Sequence, residues 1–217
     1  MTRLAIFDLD YTLTRQGTWG RFVLRSMKAR PLGLPPLLLA AGWTQLRYKR
    51  GAVPRIAVKT AMMRRSMVGR TREELSDVAD ALIADDMQNG LNLRVLDALR
   101  AHQQAGDIVL IASAAVDLLV ERYCEALGAH GQVSTRMAWT QDDRLADHFA
   151  SDNCYGTQKM DRIKGLLTER NLLPSHVTAY SDSRADAPML EFADKAIIVA
   201  PKRKTRDYAQ RMNFEIW

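Results

Sequence analysis

The chain has 217 residues, of which 47% are hydrophobic and 26% charged, and these values exclude a disordered or fibrous protein. Its two cysteines, Cys124 and Cys154, belong to no C-x-x-C pair, which excludes a disulfide framework and the usual zinc spacings. The longest apolar stretch, residues 32–43, is too short to span a bilayer and contains two prolines. The N-terminus lacks the long apolar stretch of a secretory signal, so we expect a cytoplasmic location.

The net charge of +6 is unevenly distributed along the chain. Residues 15–72 contain fourteen Arg and Lys residues and no Asp or Glu, whereas the rest of the chain is net acidic. A basic excess confined to one segment indicates that this segment meets an anionic ligand or surface, or forms a solvated face.

Four short apolar runs predict buried strands, at residues 4–10, 108–113, 177–182 and 196–200. Helical patterns lie between these runs, and Gly106 and Gly128 end two of them. This alternation predicts an α/β fold, a doubly wound and mostly parallel sheet with crossover helices.

Two regions break the alternation. Residues 16–89 have no strand-like run and predict a helical insertion after the first strand, broken at several prolines and glycines. Within it, residues 72–87 predict a helix capped by Thr71. Residues 133–149 predict a β-hairpin. We therefore expect an α/β core of residues 1–15 and 90–217, and a helical cap of residues 16–89.

Polar side chains follow the predicted strands at the edge where α/β sheets bind ligands. Several carboxylates crowded at one edge repel each other unless a cation offsets their charge, and hard oxygen ligands without His or Cys favour Mg²⁺. The residues are Asp8, Asp10 and Thr12 at the end of the first run, Ser113 at the end of the second, Asp182 at the end of the third with Asp186 just after it, and Lys159 in the helix before the third.

The sequence resembles the haloacid dehalogenase superfamily at four motifs in order. DLDYTLT, from Asp8 to Thr14 at the end of the first run, resembles the signature D-x-D-x-T. Ser113 matches the second motif, Lys159 the third, and SDSRADAPML the acidic fourth motif. The large insertion between the first two motifs, and the stretch NCYGTQKMDRI before the third, are similar to the phosphoserine-phosphatase-like branch with its helical cap.

The resemblance implies a phosphatase mechanism. Asp8 is then the nucleophile that forms an aspartyl-phosphate, and Asp10 the acid that protonates the leaving oxygen and later activates water. An Asp at position 10 favours phosphatase over dehalogenase chemistry. The implied Mg²⁺ ligands are Asp8, Asp10 through its main-chain carbonyl, and Asp182, while Asp186 supports the metal or Lys159.

The same resemblance implies that Thr12, Ser113 and Lys159 bind the phosphoryl oxygens. Two positions depart from the family pattern. Tyr11 stands where many relatives have a small residue, often Gly, and would narrow the pocket mouth. Ser181 stands where Gly is common and is expected to matter little.

The cap composition bears on the leaving group. In phosphoserine phosphatases a cap Glu binds the substrate ammonium, but the basic stretch of residues 15–72 contains no Asp or Glu. We therefore expect free phosphoserine to be a poor substrate and the leaving group to be neutral or anionic. A lipid phosphate would be one such substrate, with its apolar portion against Leu37, Leu38, Leu39 and Trp43. The alternative is that the arginines are solvated and the apolar stretch is cap core. The candidate substrate-binding residues are Arg47, Arg50, Arg55, Arg64 and Arg65.

Other functions stay open at this stage: phosphoserine phosphatase proper, a phosphotransferase with the same intermediate, and a binding protein with a basic surface. The expected partner is a small phosphomonoester and not a nucleic acid, while a peripheral membrane contact is possible but not indicated. The chain is expected to be a monomer or a homodimer. Without G-x-S-x-G a serine hydrolase is not indicated.

Overall fold

A parallel sheet forms the centre of the computed structural model, which describes residues 2–28 and 31–217. The strands of the described residues are β1 (Arg3–Phe7), β2 (Ile108–Val116), β3 (Gly131–Thr135), β4 (Met137–Trp139), β5 (Leu145–Phe149), β6 (His176–Ser181), β7 (Lys195–Ile198) and β8 (Glu215–Ile216). Six of them form the sheet in the order β3-β2-β1-β6-β7-β8, with every pair parallel, and β4 and β5 form a separate antiparallel hairpin.

Strand β1 lies in the middle of this sheet. After the exposed Arg3, its residues Leu4 to Phe7 are all buried, which explains the unbroken apolar run. Leu4 lies beside Ile108 of β2 on one side and beside Val177 of β6 on the other. The carboxyl ends of β1, β2 and β6 therefore meet at one edge of the sheet.

The helices surround the sheet and fill the insertion. The α-helices of the described residues are α1 (Thr18–Ser26), α2 (Leu34–Lys49), α3 (Ile56–Ser66), α4 (Arg72–Asp85), α5 (Leu93–Gln104), α6 (Asp117–Leu127), α7 (Thr157–Glu169), α8 (Ala187–Phe192) and α9 (Arg203–Arg211). Two hydrophobic clusters cover the two faces of the sheet, and a third joins α1, α3 and α4 to α6 and the hairpin. Among the described residues, none of the helices combines the length and apolar character that crossing a bilayer requires.

The predicted fold class is confirmed, with shifts at the element ends. The predicted helix over residues 72–87 is α4, and the Thr71 hydroxyl accepts a hydrogen bond from the Glu74 amide at 3.2 Å. The predicted hairpin over residues 133–149 is wrong in its first part, because residues 133–135 belong to β3, which extends the main sheet beside β2. Only β4 and β5 form the hairpin.

The hairpin is attached to the insertion. The Gly69 amide donates to the Leu145 carbonyl at 2.9 Å, and the Leu145 amide donates to the Arg70 carbonyl at 2.8 Å. Helices α1 to α4 lie between β1 and β2 in the chain, as expected of the insertion. The division into an α/β core and a helical cap remains a prediction.

The apolar stretch of α2 is not cap core, so that interpretation was wrong. Leu37 is buried, but Leu38, Leu39 and Trp43 are exposed by 57%, 75% and 63%. The reason is that α2 packs mainly on α3, so only part of its apolar N-terminal stretch finds a partner.

Candidate active site

The loop after β1 positions two carboxylates. The Asp8 amide donates to the Tyr180 carbonyl of β6 at 2.9 Å, which anchors the start of the loop to the sheet. The Thr14 amide donates to the Leu9 carbonyl at 2.9 Å and closes the turn. Tyr11 adopts a φ of +62°, a conformation in which a side chain is strained. Gly adopts this conformation without strain, which agrees with the small residue, often Gly, of the family pattern at this position.

Lys159 connects the ends of two strands. It lies in the first turn of α7, and its Nζ is 2.8 Å from Asp8 Oδ1 and 2.7 Å from Asp186 Oδ1. Burial tends to lower the pKa of Lys159, but the two carboxylates outweigh that effect and raise it, so the side chain is an ammonium. Burial raises the pKa of Asp8 to about 8, although Lys159 acts in the opposite direction.

Asp10 is held by the first helix of the insertion. Its Oδ1 accepts hydrogen bonds from the Thr18 amide at 2.8 Å and from the Thr18 hydroxyl at 2.7 Å. The carboxylate thus caps the N-terminus of α1, where the preceding Gly17 has no side chain to do so. Burial raises the pKa of Asp10, which the bonds from Thr18 partly counteract. The sequence analysis missed Thr18, because the contact between Thr18 and Asp10 joins residues eight positions apart and no motif in the sequence indicates it.

The hydroxyls of Ser113 and Thr12 have different surroundings. Ser113 is buried, lines the pocket described below, and its Oγ accepts from the Ala115 amide at 3.0 Å. Thr12 Oγ1 lies 3.4 Å from Asp8 Oδ2 and accepts from the Asp182 amide at 3.0 Å. Thr12 therefore joins the loops after β1 and β6 and is not among the residues that line the pocket.

The end of β6 carries the remaining carboxylates. Burial, and then the neighbouring Asp186, raise the pKa of Asp182 to about 6. Ser181 Oγ donates to Asp186 Oδ2 at 2.7 Å and accepts from the Ser183 amide at 3.1 Å. Ser181 thus orients the carboxylate that holds Lys159, a contribution greater than the sequence analysis expected.

A pocket of about 250 Å³ opens at this edge of the sheet. In addition to the predicted residues, aromatic and cationic side chains line the pocket. Among them, the guanidinium carbon of Arg55 lies 4.1 Å from the centre of the Tyr155 ring. A larger groove of about 490 Å³ lies elsewhere, beside α7, and its lining contains no carboxylate. The residues that line the 250 Å³ pocket are Asp8, Asp10, Tyr11, Arg55, Ser113, Ala114, Tyr155, Lys159, Asp182, Ser183, Ala185, Asp186 and Lys202.

Of the five candidate cap arginines, the structure brings only Arg55 to this pocket. Arg64 donates to Asp147 of the hairpin, and Arg65 lines a separate groove beside Trp43. Arg47 and Arg50 are exposed at the end of α2. The apolar residues of α2 do not line the pocket either.

Lys59 is a cation near the pocket that the sequence analysis did not single out. It lies on α3 and donates to the Ala114 carbonyl and, at 2.8 Å, to Asn153 Oδ1. The pKa of Lys59 is lowered to about 8, because burial, with a smaller contribution from Arg55, outweighs the opposing effect of Asp10. A lone lysine within a basic helix has no sequence signal that distinguishes it.

The donor set fits Mg²⁺, although acidic side chains alone do not complete a site. Within residues 2–28 and 31–217, no three His, Cys, Asp or Glu side chains are grouped closely enough to hold a metal ion. The implied set needs only the carboxylates of Asp8 and Asp182, together with the Asp10 carbonyl. Burial raises the pKa values of both carboxyls, so a bound cation would relieve an existing cost of ionisation.

Comparison with known proteins places this geometry in a family. The model of the haloacid dehalogenase-like hydrolases matches residues 5–191. Phosphoserine phosphatase SerB1 of Mycobacterium tuberculosis is 26% identical over 223 residues, covering 100% of this chain and 70% of SerB1.

Solved structures show the same fold. A protein from Bordetella pertussis Tohama I has a TM-score of 0.84 at 21% identity, with 100% of this chain and 98% of that chain covered. A phospho-aspartyl intermediate analogue of phosphoserine phosphatase has a TM-score of 0.65 at 14% identity, with 99% and 92% covered. The family model spans most of the chain, and the chain therefore belongs to the haloacid dehalogenase-like hydrolases, as a phosphatase of that superfamily.

Proposed function

We propose that the protein is a Mg²⁺-dependent phosphomonoester hydrolase that acts through an aspartyl-phosphate on Asp8. The observation that carries this proposal is the buried Lys159 ammonium, 2.8 Å from Asp8 and 2.7 Å from Asp186, at a pocket that also exposes Asp10, Ser113 and Asp182. A nucleophile, a proton donor and a fixed cation around one pocket suit phosphoryl transfer, which depends mainly on positioning and charge stabilisation.

In the first step, an Asp8 carboxylate oxygen bonds to phosphorus while the bond to the leaving oxygen breaks. Asp10 donates its proton to that oxygen, so the leaving group departs as an alcohol. The raised pKa of Asp10 suits a general acid. Because Thr18 occupies Oδ1 with two hydrogen bonds, Oδ2 is the oxygen that would carry the proton.

In the second step, Asp10, now a carboxylate, takes a proton from a water molecule that attacks the phosphorus. The bond to Asp8 breaks, which restores the Asp8 carboxylate and releases inorganic phosphate. Lys159 and Ser113 bind the non-bridging oxygens in both steps. Bound Mg²⁺, held by Asp8, Asp182 and the Asp10 carbonyl, would offset the charge between the nucleophile and the phosphate.

The pocket mouth favours an anionic leaving group over one that carries an ammonium. Arg55 and Lys202 bring two positive charges to the mouth, and Tyr11 and Tyr155 add aromatic surface. Among the described residues, the acids that line the pocket are those of the catalytic edge alone, so no carboxylate is left for a substrate ammonium. The relative named phosphoserine phosphatase is the argument for the alternative, phosphoserine itself. The proposed location is cytoplasmic and the proposed partner a small molecule.

The test is phosphate release from a panel of phosphomonoesters with Mg²⁺ or with EDTA. The panel contains phosphoserine, phosphoglycolate, sugar phosphates and nucleotides. Asp8→Asn removes the nucleophile, and Asp161→Asn on the exposed side of α7 is the matched control. We expect turnover that requires Mg²⁺ and Asp8, survives in the control, and is fastest with an acid-bearing leaving group. Rapid phosphoserine hydrolysis would contradict the substrate proposal, and Mg²⁺-independent release would contradict the mechanism.

A further inference from the structure

We propose that the outward side of α2 docks the protein onto an anionic lipid bilayer surface. Leu39, Trp43 and Leu46 are spaced i, i+4 and i+7 and therefore share one side of the helix, here called the outer α2 face. Their side chains are exposed by 75%, 63% and 39%. A contiguous ridge of large apolar side chains on a protein surface marks an interaction site more often than scattered exposure does.

The rest of the described chain does not cover this face. Leu37 is the one residue of α2 that is buried, and it belongs to the cluster that joins the insertion helices to α6. The main packing partner of α2 is α3, and this packing leaves Leu39, Trp43 and Leu46 exposed. Within residues 2–28 and 31–217, the outer α2 face is thus left largely uncovered.

The charges around the face decide what it fits. Arg47, Lys49 and Arg50 follow the apolar ridge at the C-terminal end of α2, and Arg65 lines a groove of about 330 Å³ together with Trp43. Within the described residues, these four side chains form no ion pair with a carboxylate.

Apolar side chains bordered by unpaired cations match the layout of a bilayer surface, where acyl chains lie below anionic headgroups. A Trp at the boundary suits the same depth, because its ring is apolar and its N–H is polar. A second copy of this chain fits poorly, since a symmetric contact would bring two sets of uncompensated cations together. At 16 residues, α2 would lie in the plane of the surface and not cross it.

The proposal is independent of the catalysed reaction, so its test uses binding alone. The full chain is sedimented with vesicles of equimolar phosphatidylcholine and phosphatidylglycerol, and with vesicles of phosphatidylcholine only. We expect co-sedimentation with the anionic vesicles alone and a loss of that binding at high salt. Tryptophan emission should shift to shorter wavelength on binding, and Trp43→Phe should abolish most of that shift.

Surface variants identify the face responsible. Trp43→Ala and Leu39→Ser should each weaken binding roughly tenfold. The control is Leu173→Ser, which changes a side chain outside the insertion that is exposed by 90% and should leave binding unchanged. Arg47→Gln should weaken binding roughly fivefold, and Arg100→Gln on α5 should not.

Three results would overturn the proposal. The first is equal binding of the wild type to both vesicle types. The second is binding by the outer-face variants that equals binding by the wild type. The third is self-association in the absence of vesicles that Trp43→Ala abolishes. The last result would assign the face to a second copy of the chain.

Discussion

Replacing Lys159 by Met tests the charge network at the candidate site. Met keeps much of the side-chain volume but removes the ammonium that lies within hydrogen-bonding distance of Asp8 and Asp186. Lys159 is 2% exposed, so solvent cannot replace the lost partner. Breaking a buried ion pair on one side typically costs about 3–5 kcal/mol, and we expect a loss in this range for metal-free protein at alkaline pH.

The loss should depend on pH in a defined direction. With Lys159 present, the pKa of Asp8 in the folded protein is already raised to about 8 from 3.8. Protonated Asp8 therefore stabilises the folded state most at low pH, and this stabilisation is lost as the pH rises through about 8. Without the ammonium, the pKa of Asp8 rises further and the ionised form becomes more costly. The difference between variant and wild type should therefore grow with pH.

Denaturant unfolding in EDTA, below and above the pKa of Asp8, measures this difference. Lys164→Met is the matched control, because Lys164 is an exposed lysine of the same helix. We expect the control to change stability by less than about 0.5 kcal/mol. A Lys159→Met protein that is as stable as the control at alkaline pH would refute the buried network.

Three further predictions follow from individual contacts. Metal-free protein should lose stability as the pH rises from 3.8 through about 6, because Asp182 ionises over this range at a cost. Mg²⁺ should restore the lost stability, as measured by thermal unfolding. Unfolding curves that are the same with and without Mg²⁺ would contradict the metal site. Ser181→Ala removes a buried donor to a carboxylate and should cost about 1–3 kcal/mol in denaturant unfolding, whereas Ser175→Ala on the surface should cost little. Arg55→Met should raise KM about tenfold for anionic leaving groups with little change in kcat, and the same effect from Arg47→Met would contradict the pocket assignment.

The parts of the fold that could be predicted from sequence are those with a strong local signal. The strands around Leu4, Val109 and Val177 are short and mostly apolar runs, and a catalytic carboxylate directly follows β1 and β6. The weak alternation over residues 133–149 predicts a hairpin, but residues 133–135 belong to β3 of the main sheet. Strand β8 has two residues, too few for any pattern.

The other features depend on the packing of distant segments. Thr18 meets Asp10, and Lys59 meets the Ala114 carbonyl, only because the insertion folds back over the sheet edge. The arginines of the insertion have the same composition signal, yet among those that the structure describes Arg55 alone reaches the pocket. The apolar composition of α2 predicted burial, but composition does not reveal how many neighbours a helix has.

The most direct test of the central claim is to trap the phosphoryl group on the chain. Asp10→Asn should still transfer a phosphoryl group to Asp8 from a substrate whose leaving group needs no proton, such as p-nitrophenyl phosphate, and should hydrolyse the intermediate slowly. Mass spectrometry of the rapidly quenched protein should then find one added phosphoryl group on the peptide that contains Asp8, and none after Asp8→Asn is introduced. Turnover that continues in Asp8→Asn, or a phosphoryl group on another residue, would contradict the mechanism.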